Sequence, residues 1–147
     1  MAFSKFKLWK GIGSEFYSGT NNPIPLVVNG PVNQTAIFYP SLIVATGNEA
    51  AVDFAYNNTV ETIGVDSFKT FFVEPGSTVT LTAGNRPIIY KLVGWDGLPN
   101  APSAKATFRV DSPLSIRPHY ELDILNIGLI LAAVAGMAVV FRRVLRR

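Results

Sequence analysis

Ile124 to Phe141 is a run of eighteen residues with one polar side chain, Asn126. As a helix it rises about 27 Å at about 1.5 Å per residue, close to a hydrocarbon core of about 30 Å. A helix packed on one side of a soluble core would show a polar face at 3.6-residue spacing, and none is visible past Asn126. The run therefore predicts a transmembrane helix over 122–141. The competing reading is an apolar helix buried in an oligomer.

The flanks predict orientation. Glu121 and Asp123 precede the run, and Arg142, Arg143, Arg146 and Arg147 follow it. Basic residues stay on the side from which insertion occurs, so the tail 142–147 is expected inside and the rest of the chain outside. The same four arginines suit lipid headgroups or, less simply, the phosphates of a nucleic acid packed beneath the membrane. Gly128, Ala132 and Gly136 stand at every fourth position, a spacing that lets two helix backbones approach closely.

Charge is partitioned along the chain. The net charge is +3. Lys5, Lys7 and Lys10 mark the start and the four arginines mark the end, while 11–141 hold six basic and ten acidic residues. A nucleic-acid-binding fold would carry its basic residues on the body, which here is mildly acidic. No cysteine is present, which excludes disulfides, a thiolate nucleophile and cysteine-ligated metal.

The body reads as β-structure. Short stretches rich in Val, Ile, Thr, Phe and Tyr fall at 24–28, 41–46, 50–56, 59–65, 68–73, 77–83, 88–95, 105–110 and 114–120. Turn residues separate them, as in "YNN", "VEPGS" and "WDGLPN". In "STVTLTA" Val79, Leu81 and Ala83 share one face; in "KATFRV" Ala106, Phe108 and Val110 do, and Ile116 continues the pattern. Pro118 predicts an edge or a strand end. "EPGS" predicts a type II turn with φ > 0 at Gly76. The expected architecture is an antiparallel β-sandwich, Ig-like or jelly-roll in type, over 21–121 with one C-terminal helix.

Residues 1–20 form a basic, aromatic arm. Phe3, Phe6 and Trp9 stand three apart among the lysines. An amphipathic helix on a membrane, an extended arm docked on a neighbouring subunit, and a first strand all fit. "GTNNPIPL" at 19–26 reads as a linker or extended edge. The start is not of signal-peptide form. Three settings accommodate that: a mature chain, translocation by the C-terminal helix, or a bilayer enclosed within a virion.

"VEPGSTVTLTA", "LVGWDG" and "ATFRVDSPLSIRPHYEL" together resemble the β-repeat module of archaeal and bacterial surface proteins, a "PGSTVTLTA" strand, a "GW-x-G" turn and an "SP-x-x-I" closing strand. The resemblance covers about residues 73–121. It implies a small sandwich with an architectural role in an envelope, with Trp95 as core anchor beside the Asp96–Gly97 turn. It has an archaeal flavour and says nothing about the N-terminal half.

Chemistry is sparse. His119 is the one histidine and has no cysteine or second histidine to share a metal. No G-x-S-x-G elbow, calcium loop or phosphate-binding glycine pattern is present. No cofactor and no enzymatic activity are expected. Asn33-Gln34-Thr35 and Asn57-Asn58-Thr59 are glycosylation sequons, so Asn33 and Asn57 are candidate modification sites. Tyr39, Tyr56 and Trp95 are candidate contacts for a binding role. The expected function is a single-pass, membrane-anchored structural protein, its β-domain packed against copies of itself or lattice and shell proteins. The envelope of a cell and a virion with an internal membrane both fit. The alternative is an accessory single-pass subunit of a membrane complex.

Overall fold

Alternating apolar residues bury one face of a strand, and two such sheets bury their faces against each other. The computed structural model describes residues 4–13, 15–84, 88–99, 101 and 103–144, apart from the side chains at 139, 140, 143 and 144. Nine strands precede one helix among these residues: β1 (Ser4–Gly13), β2 (Val32–Ala45), β3 (Val52–Tyr56), β4 (Thr59–Ile63), β5 (Phe68–Phe72), β6 (Ser77–Ala83), β7 (Tyr90–Asp96), β8 (Lys105–Val110), β9 (Leu114–Leu122) and α1 (Ile124–Val144). One sheet runs β4-β3-β6-β8 and is antiparallel throughout. The other runs β1-β2-β9-β7, with β5 added to β2.

The core lies between the sheets. Val52, Phe54, Ile63, Val79, Leu81, Ala106 and Val110 come from one, and Leu42, Val44, Trp95 and Ile116 from the other. Phe54 of β3 stacks on Phe71 of β5 with centroids 3.7 Å apart, which ties the sheets across the middle. Val79, Leu81, Ala106, Val110 and Ile116 are buried as their alternation predicts.

Two features differ from the sequence expectation, and two fall within the alternatives it left open. The second sheet is mixed, because Leu42–Val44 of β2 pair parallel to Leu114–Ile116 of β9. Residues 24–28 are not a strand: Pro25 lacks a donor, and Val27 and Val28 stay exposed. Of the three readings of the arm, the first strand is the one found: 4–13 pair with 32–40 as a two-stranded ribbon. A bulge between Phe6 and Leu8 lets Phe6 and Trp9 meet at 5.6 Å, so the three-residue spacing comes from a bulged strand. Finally, Pro118 lies within β9, opposite Trp95, beyond the part of β9 that pairs with β2. One side of the strand is open there, and a missing donor costs nothing on that side.

Turn chemistry follows the residues. Asn57 and Asn58 both take positive φ, at 48° and 61°, and close the β3–β4 hairpin in two residues. Gly76 has φ 78°, and Ser77 N donates to Glu74 O at 3.0 Å, the expected type II geometry.

Beyond β9 the chain enters α1, of 21 residues. Its large side chains Leu125, Leu129, Leu131, Val134, Met137 and Phe141 are exposed. Among the described residues no helix is long and apolar enough to cross a membrane.

Candidate functional site

The junction of the β-body with α1 is the best-built polar arrangement near a predicted functional element. Asp123 caps the helix: its Oδ1 accepts from Asn126 N at 3.2 Å, and its Oδ2 accepts from Asn126 Nδ2 at 3.0 Å. The same amide group of Asn126 donates to Ile88 O at 3.2 Å. Asp123 N donates to Ile89 O at 2.7 Å. The turn at 88–89 is therefore tied to the first turn of the helix through both of its carbonyls. Asn126, the single polar residue of the apolar run, is engaged within the chain rather than across a helix contact.

Around this junction Ile88, Ile89, Leu122, Ile124 and Leu125 are exposed, with Ile88 at 71% and Leu125 at 81%. Asp123 immediately before the apolar run is the local signal of the cap. The clasp to residues 88–89 has no local signal, because β7 and β9 must pair before the two segments meet.

A second arrangement lies on the β7–β9 hairpin. The register sets Gly94 opposite His119 and Asp96 opposite Arg117. His119 Nδ1 and Asp96 Oδ1 lie 3.0 Å apart. They edge an open cleft of about 580 Å³ floored by Val93, Trp95, Leu98 and Ala101, with Glu121 on the rim. Glu49 and Arg117 approach the same pair from the other side. His119 and Asp96 are both largely solvated, at 48% and 63% side-chain exposure. The described lining of the 580 Å³ cleft holds this hydrogen-bonded pair and no serine, threonine or cysteine side chain. Among the described residues no group of three potential metal ligands comes together.

The other predicted residues are dispersed. Gly128, Ala132 and Gly136 are exposed on α1, and a Cβ built on either glycine meets nothing within 4 Å. Arg142 is exposed, while the Arg143 side chain, Arg146, Arg147 and Phe3 lie outside the described residues. Asn33, in β2 opposite Ile12, and Asn57, in the hairpin turn, are both exposed. Trp95 is buried, and its Nε1 donates to Ser103 O at 2.9 Å, so it does not serve as an exposed binding aromatic. Tyr39 and Tyr56 are half-buried; the Tyr56 hydroxyl accepts from Glu74 N at 3.1 Å.

On the ribbon, Lys7 pairs with Glu74 and stands 5.1 Å from the Tyr39 ring centroid. The hydrogen bond to Glu74 raises the Lys7 pKa above its ordinary value, partly opposed by desolvation. This pair fastens the ribbon to the loop after β5.

No family model, curated protein or solved structure matches the chain.

Proposed function

We propose that the chain is a membrane-anchored structural protein whose β-body stands outside a bilayer and packs into an envelope or shell assembly. The observation that carries this reading is α1, a helix bearing large apolar side chains exposed to solvent along its described length. In the sequence the apolar run continues through Val139, Val140 and Phe141 before the first arginine, which completes eighteen residues without a charge. A bilayer is the environment in which such a surface is stable. The four arginines of the sequence support a tail on the inner side, in a cytoplasm or a virion interior, and the acidic body on the outer side. Contact of the tail with nucleic acid is the lesser alternative to contact with lipid headgroups.

The architectural role is supported by the resemblance across 73–121, whose pieces fall on β6, the end of β7 with the turn after it, and β8 with β9. The face-to-face sheets suit an Ig-like or jelly-roll sandwich. Gly128, Ala132 and Gly136, open on the helix, suit packing against another copy. The same stripe favours the second reading, an accessory subunit packed against a polytopic partner.

Protease protection in sealed membranes tests the anchor. Residues 4–122 are expected to be digested from the outside while a fragment containing α1 and the tail is protected and resists alkaline carbonate extraction. Complete release by carbonate would refute the anchor. Gentle solubilisation followed by mass determination tests the partner: homo-oligomers support the structural reading, and a stoichiometric polytopic chain replaces it with the second.

A further inference from the structure

We propose that the Ile88–Ile89 turn is a second lipid contact, a foot that enters the headgroup–acyl boundary beside α1 and sets the orientation of the β-body on the bilayer. This rests on the anchor reading. Three observations carry it. Ile88 and Ile89 are exposed, and they lie beside Leu122, Ile124 and Leu125, so the turn continues the apolar surface that begins the helix. The turn is fixed there by two hydrogen bonds, from Asn126 Nδ2 to Ile88 O and from Asp123 N to Ile89 O. Those bonds also pair both carbonyls of the turn, which entry into an apolar zone requires. The occupant is lipid because the patch is continuous with the helix surface that lipid covers in the anchor reading.

A body held by a helix alone can swivel about one flexible point. Here β9 runs into α1 with only Asp123 between them, and the clasp from β7 adds a second point of attachment. Two contacts on the same surface define a tilt as well as a distance.

The absence of native cysteine makes the test clean. Single-cysteine variants Ile88→Cys, Leu131→Cys and Ser112→Cys of the full chain would be labelled with an environment-sensitive fluorophore and reconstituted in phosphatidylcholine vesicles. Ser112 precedes β9 at the end away from α1, about 30 Å along the strand. Quenching by lipid-borne nitroxide and by aqueous iodide is then read at each site. The expected result is strong lipid quenching at 131, none at 112, and quenching at 88 several-fold above 112 with reduced iodide access. Quenching at 131 with 88 indistinguishable from 112 overturns the foot and leaves the anchor standing. No lipid quenching at 131 overturns the anchor reading and the foot with it. Shielding of 88 from both quenchers assigns the turn to a protein neighbour and likewise overturns the lipid contact.

Discussion

At the residue scale, Gly97 and Trp95 set the geometry of the β7 turn. Gly97 has φ 88°, and a Cβ there would stand 2.2 Å from Ser115 O, so an L side chain meets both backbone strain and a clash. Gly97→Ala is expected to cost at least ~1–3 kcal/mol, read as a shifted denaturant midpoint with unchanged slope. Trp95→Ala removes a core ring and orphans the Ser103 carbonyl, for a loss of ~3–5 kcal/mol in the same measurement. Lys7 gives a pH signature. Its pKa is raised by Glu74, so the stability it adds is complete below the unfolded lysine value near ~10.4 and is lost as pH rises through the folded value. Thermal unfolding from pH 9 to 12 should therefore show a decline at the alkaline end that Lys7→Met lacks; parallel profiles for the two proteins would exclude the linkage.

At the element scale, legibility followed how much of each element's pattern is local. β6, β8 and β9 were readable because one face of each is buried and the other wet, which writes a period of two into the sequence. β1 was not, because its bulge restores contact between Phe6 and Trp9 at a spacing that imitates a helix. The segment at 24–28 misled in the opposite way: its apolar residues suggested a strand, but Pro23 and Pro25 leave the backbone without the donors a ladder needs. The parallel pairing of β2 with β9 and the bond from Asn126 to Ile88 join residues far apart in sequence, and no local period encodes either. The cap of α1 is local and testable. Asp123→Ala should weaken the first helical turn by ~0.5–2 kcal/mol, seen as faster amide exchange at residues 125–127 in detergent micelles. Unchanged exchange there would mean that the cap adds nothing to the helix end.

At the scale of the whole molecule, the β-body has its own core and the helix shares little of it, so the two should be separable. Removal of 124–147 is expected to give a folded, β-rich protein that unfolds cooperatively and no longer sediments with membranes. Loss of cooperative unfolding on that truncation would show that the helix supports the body. The direct passage of β9 into α1 has a mechanical consequence. A pull on the anchor runs along the axis of a strand flanked by β2 over 114–116 and by β7 over 117–122. When the opposing grip is on the far side of the sandwich, these bonds are loaded together in shear rather than peeled singly. If α1 is the anchor proposed above, load entering through it would reach the β-body without unravelling the strand from its attached end.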